Sequence, residues 1–346
     1  MSRHYGAVCL IVFLAVFFFP GQTATQNAAQ PQAQNPALNQ PTLSSEDKAE
    51  VAEALRLKTE TGDQIWPGLA GADIPIVLFN AGYEFLVGET NASKPWEAVP
   101  EDDFQGKPYY RRPARDPQSF AVKIGNRWAG SVGTLDLMLS KIPIKLGRDF
   151  HTVLLLHEMF HAFQAAQAPK RFDRALAVYK AEGRYPFKDK EFAAAWTEEG
   201  AALAQALKAA ADTQALSLAG KFLDIRRTRR SRAGLSPDLV AYERELEWLE
   251  GLAKRAEIRF YEIAGARTDR TSSIKFTAAL PFLLQWDFAR LEYQLGAQEG
   301  DLRFYLSGMA QARLLDRLSP GWKSNTALDT VYLEDILAAV ISPQSD

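Results

Sequence analysis

Between Val153 and Phe163 the chain is apolar around a whole helical circumference, and three ionisable side chains interrupt it: His157, Glu158 and His161. A helix that is greasy on every side packs in the middle of a large core. A buried polar group without a partner costs roughly 2–7 kcal/mol by transfer measures, so three of them within two turns demand something that satisfies them. Residues four apart differ by about 40° around a helix axis and project the same way. His157-Glu158-Met159-Phe160-His161 therefore offers two imidazole nitrogens to one metal ion, expected to be zinc. Glu158, about 100° round, can serve a metal-bound water as general base. The bland alternative, two core histidines bonded to backbone or carboxylate, leaves Glu158 unexplained. Only four histidines occur in 346 residues, which puts a chance pentad on the order of one in several hundred.

A catalytic zinc site takes three protein ligands and keeps one position for water. The only cysteine is Cys9, near the N-terminus, and His151, six residues before His157, lies on a different face. A carboxylate is therefore expected. Glu199, in Trp196-Thr197-Glu198-Glu199-Gly200, has only apolar helical neighbours at three, four and seven positions, so it should be ion-paired or bind metal. Its neighbour Glu198 shares a face with Glu191 and Gln205 and reads as solvated. Glu250, in Trp248-Leu249-Glu250-Gly251, shares a stripe with Glu243, Glu247, Lys254 and Glu257. That stripe is either a solvated charged face or the lining of a cleft. Burial and helix adjacency favour Glu199, with Glu250 as the alternative ligand.

These residues resemble the gluzincin metallopeptidases. His157-Glu158-x-x-His161 followed by Trp196-x-x-Glu199-Gly200 is similar to a bacterial branch whose third ligand lies in a Trp-x-x-Glu-Gly helix. Glu250-Gly251-Leu252-Ala253 is similar to the Glu-Gly-x-Ala ligand helices of related groups. The resemblance covers about a tenth of the chain. It implies a zincin-like fold, one zinc ion, a peptide or protein substrate, and Glu158 as base. It also points to Tyr305, in Tyr305-Leu306-Ser307-Gly308, as an oxyanion donor, although a plain core or rim tyrosine is the simpler reading. A different class of function remains open: a zinc-bearing envelope binding or scaffold protein without turnover.

The N-terminus reads as an export signal over residues 1–24. Arg3 precedes the apolar run Ala7 to Phe19, which is short for a membrane span, and Pro20-Gly21 breaks it. Its removal would leave no stable span and a periplasmic or secreted protein; its retention would leave an anchor. Residues 25–45, rich in Gln, Ala, Asn and Pro, read as a disordered linker, and 46–346 as one catalytic domain. A net charge of −2 gives nucleic acid no electrostatic footprint despite the basic run Arg226 to Arg232. That run is expected to pair with the acidic stripe from Glu243 onward.

Ser44-Ser45-Glu46 opens a short helix with serine as N-cap. Strands are expected over 74–79, 83–87, 120–124 and 127–129, with a glycine-rich stretch at Gly130-Ser131-Val132-Gly133. Helices are expected over about 150–168, 189–211, 214–232, 238–264, 275–296, 301–317 and 328–341. The class is α+β: a small twisted sheet followed by a dominant helical part.

Overall fold

The structure, a computed structural model, describes residues 40–141, 146–267, 272, 274–276, 280–324 and 330–342. The expected signal lies outside the described residues, as does the linker up to residue 39. The class is mixed α+β, with a six-stranded open sheet followed by a mostly helical C-terminal part. Two compact units divide the chain: Met1–Arg56 with Asp73–Ala162, and Leu57–Ala72 with Phe163–Asp346. Among the described residues no helix is long and apolar enough to cross a membrane.

Helix α1 runs Ser45–Ile65, much longer than the short helix expected. Ser44 caps it reciprocally: the Asp47 amide donates to Ser44 Oγ at 3.0 Å, and the Ser44 amide donates to Asp47 Oδ2 at 3.1 Å.

The first unit contains strands β1 (Ile76–Phe79), β2 (Tyr83–Val87), β3 (Glu97–Ala98), β4 (Tyr110–Pro113), β5 (Phe120–Ile124) and β6 (Arg127–Gly133), in spatial order β3-β4-β2-β1-β6-β5. Strands β1 and β6 run parallel, with Val77 opposite Ser131, and the other neighbours are antiparallel. Val77, Leu86, Trp96, Tyr110 and Ala129 form a core cluster in this unit. Helices α2 (Leu135–Lys141) and α3 (Arg148–Gln167) come next, and α3 carries the pentad.

His151 explains how α3 begins. Its ring is fully buried. One nitrogen faces Glu50 Oε2 of α1 at 2.5 Å and the other faces the Gly133 carbonyl at 2.7 Å. The Gly133 carbonyl can only accept, so that nitrogen donates, and the Glu50 carboxyl beside the other nitrogen favours the charged ring. Burial alone would push the imidazole down, but the Glu50 carboxylate and the Gly133 carbonyl hold it above the ordinary histidine range. The stability this group contributes is complete below the unfolded value of about 6.5 and is lost as pH rises through the raised folded value. Urea unfolding of the wild type should therefore weaken with rising pH in that window. His151→Gln should be less stable below pH 6.5 and lack this slope; a slope unchanged in the variant would remove the charge from His151.

The second unit is helical: α4 (Pro169–Ala177), a 3-10 segment (Val178–Arg184), α5 (Lys190–Lys208), α6 (Asp212–Arg232), α7 (Pro237–Leu246), a π-turn (Glu247–Gly251), α8 (Leu252–Ala266), α9 (Leu280–Tyr293), α10 (Leu302–Leu318) and α11 (Leu333–Ile341). Pro169, expected as a breaker, ends α3 and sits in the first turn of α4, where its missing amide costs nothing. The Asp189 side chain caps α5 by accepting from the Phe192 amide at 2.8 Å. The helix expected over 238–264 is instead α7 and α8 joined by the π-turn.

Candidate metal centre

Strand β6 meets the pentad helix backbone to backbone. A methyl carbon added at Gly130 would lie 2.7 Å from the Met159 nitrogen, so glycine at this position lets strand and helix touch. On α3, His157 and His161 are each 1% exposed. They turn their Nε2 atoms toward one another at 3.1 Å, with ring planes at 76°. Two nitrogens held about 2.0–2.1 Å from a tetrahedral zinc would be separated by about 3.3 Å, so this spacing would suit two ligands of one ion as well as a hydrogen bond between the rings. Phe120 of β5 packs against the His161 ring, with centroids 4.8 Å apart. Glu158 lies between the two histidines in sequence and is 5% exposed.

Among the described residues, the side chains grouped so that they could hold a metal ion are His157, His161 and Glu250, all buried, with ligand atoms within 4.8 Å of one another. Two imidazoles and one carboxylate are the donor types of an open catalytic zinc site.

Glu199, the favoured third ligand, is not part of this group. Its carboxylate is spoken for by two arginines of α6: Arg226 Nε donates to Oε2 at 2.9 Å, and Arg229 Nε donates to Oε1. The apolar stripe around Glu199 signalled that it needed a partner, and the partner is a pair of guanidinium groups. The basic run does meet the acidic stripe as expected. Arg226 binds both oxygens of Glu247 at 2.6 and 2.9 Å, and Arg229 binds both oxygens of Glu243 at 2.6 and 3.0 Å. Glu198 is exposed, as read.

The solvated-face reading of the Glu243–Glu257 stripe is also corrected. Glu243, Glu247, Glu250, Lys254 and Glu257 are all buried. Glu250 sits in the π-turn, which fits one more residue into a turn than an α-helix does and so rotates the faces of α8 against those of α7. Several contacts hold this turn. Gln164, three residues beyond His161, donates its amide to the Trp248 carbonyl at 2.8 Å. Ser307 Oγ of α10 donates to Glu247 Oε1 at 2.6 Å. Gly251 and Gly308 let the turn and α10 cross so closely that a methyl carbon on Gly308 would lie 2.5 Å from the Glu247 carbonyl oxygen.

Tyr305 is buried in α10 at 5% exposure. The Tyr179 hydroxyl lies 3.3 Å from Glu250 Oε1. In the Tyr305-Leu306-Ser307-Gly308 segment, Ser307 and Gly308 support the π-turn. Neither Tyr179 nor Gln164 was singled out in the sequence. The signal for Gln164 was a polar residue one turn beyond the pentad in an otherwise apolar helix, and Tyr179 had no such signal.

No protein-family model, curated protein or solved structure matches this chain.

Proposed function

We propose that this protein is an exported zinc hydrolase that cleaves peptide bonds, with His157, His161 and Glu250 as the metal ligands. The observation that supports the reading is the gathering of two facing imidazole nitrogens and one buried carboxylate within 4.8 Å of one another, with Glu158 adjacent on the same helix. A zinc ion bound there would polarise a substrate carbonyl and lower the pKa of a water towards about 7. Glu158 takes the proton of the attacking water and delivers it to the leaving nitrogen. Phe120 packs against His161, and His157, His161 and Glu250 are themselves buried, which keeps the local dielectric low and strengthens each of these interactions.

The test is a metal assay joined to a peptide screen. The purified full-length protein should hold one zinc per chain, and it should cleave members of a peptide library. Cleavage should stop with a chelator and return with added zinc. Absence of stoichiometric zinc, or cleavage indifferent to chelation, would overturn the reading. A zinc-loaded protein that cleaves nothing would favour the binding or scaffold role instead.

A further inference from the structure

The Tyr179 hydroxyl stands between two buried carboxylates. It is 2.9 Å from Asp301 Oδ2 and 3.3 Å from Glu250 Oε1. Tyr179 belongs to the 3-10 segment and is half-buried; Asp301, the residue before α10, is 0% exposed. A phenol has one proton to give, so the two carboxylates compete for it, and the shorter contact goes to Asp301. The hydroxyl is thereby held at a fixed point beside the Glu250 carboxylate.

The need for such a support arises from the position of Glu250. A carboxylate can turn about its last torsion, which is broad rather than confined to sharp wells. The π-turn that carries Glu250 is held through Gln164, Ser307 and the Gly251–Gly308 crossing, and the carboxylate itself needs a contact of its own. Tyr179 supplies one. Partners that orient a metal ligand typically carry a 10–100-fold share of metal affinity.

We infer that Tyr179, braced by Asp301, is the positioning residue that sets the Glu250 carboxylate for metal binding. The inference rests on the metal-site reading above and extends it to the groups behind the ligand. Tyr179 lies in a segment after the pentad helix, and Asp301 lies more than a hundred residues later, at the start of the helix that also carries Ser307 and Gly308. One end of α10 thus steadies the ligand's side chain, and a stretch nearly two turns further on steadies the π-turn that carries it.

The test measures zinc dissociation constants of the full-length protein by competition with a chromophoric chelator, together with the visible absorption of the cobalt(II)-loaded form. Tyr179→Phe keeps the ring and removes only the hydroxyl. It should weaken zinc binding 10–100-fold and change the intensity or position of the cobalt bands, which a change in fold stability alone would not do. Asp301→Asn interrogates the same brace from its other end and should shift both readouts in the same direction. Glu250→Gln separates the inference from its foundation. If Glu250→Gln loses zinc while Tyr179→Phe keeps wild-type affinity and spectrum, the positioning role falls and the metal site stands. If Glu250→Gln binds zinc as tightly as the wild type, the ligand assignment fails and the inference goes with it. Altered zinc binding in Tyr179→Phe with none in Asp301→Asn would leave Tyr179 in the role and overturn the brace.

Discussion

Glu158→Gln is expected to retain one zinc per chain and to lower the rate of peptide cleavage 10²–10⁴-fold. The substitution keeps the size and shape of the side chain and exchanges a proton acceptor for an amide. Loss of a general base removes about 10²–10⁴ in rate, which corresponds to about 3–5 kcal/mol in the barrier. Metal should stay because the group that could hold it is His157, His161 and Glu250 and does not include Glu158. The folded state should also tolerate the change, since glutamine is neutral and Glu158 is buried at 5% exposure. The measurement is kcat/KM on a peptide that the wild type cleaves, with zinc quantified in the same samples. Undiminished cleavage at full metal content would exclude Glu158 as the base. Joint loss of zinc and activity would instead make it part of the site's framework.

The pentad was readable in the chain because its two requirements are local. Four-residue spacing aligns the rings within one helix, and the apolar run around Val153 to Phe163 announces that the helix is buried. The carboxylate that gathers with the two histidines was not readable, for two separate reasons. Glu199 and Glu250 are each followed by glycine, and Glu199 has the more apolar flanks. Apolar flanks say that a carboxylate must have a partner without saying which. The partners of Glu199, Arg226 and Arg229, lie 27 and 30 residues along the chain. Glu250 was placed on a charged stripe by stepping a constant angle per residue through Glu247–Gly251. The chain takes a π-turn there, and the constant step no longer holds. The sheet shows the same division. Strands β1, β2, β5 and β6 have β-rich, patterned sequences and were expected. Strand β4 is Tyr110-Arg111-Arg112-Pro113, whose charge and closing proline conceal it. The parallel pairing of β1 with β6 joins segments about fifty residues apart and has no local signature.

Arg229→Met is expected to cost about 3–5 kcal/mol of stability, the usual scale for removing one partner of a buried ion pair, while leaving zinc stoichiometry intact in the folded protein. Arg226, Arg229 and Arg230 share Glu199, Glu243, Glu247 and Glu334 among them, and Arg244 adds a contact to Glu334. Four cations thus face four carboxylates, and deleting one cation leaves an excess of buried negative charge. Trp196, whose ring lies 4.1 Å from the Arg229 guanidinium carbon, also loses a cationic neighbour. The cluster gives the loss a pH signature. Burial would raise the Glu334 carboxyl, but Arg226 and Arg230 hold it down at about 2. Glu243 is likewise pushed up by burial and held well below the ordinary range by Arg229 and Arg230. Carboxyls depressed in this way contribute stability that is complete above their unfolded value of about 4.3 and is lost as pH falls through the folded one. Wild-type stability should therefore decline from about pH 4.3 towards pH 2, and in Arg229→Met the acid transition should move to higher pH as Glu243 loses its strongest partner. Equilibrium urea unfolding across pH 2–7, with zinc assayed on the folded fraction, tests both halves. A variant as stable as the wild type would show that the cluster is worth no more than a set of surface pairs. A variant that folds but holds no zinc would return Glu199 and its arginines to the metal site.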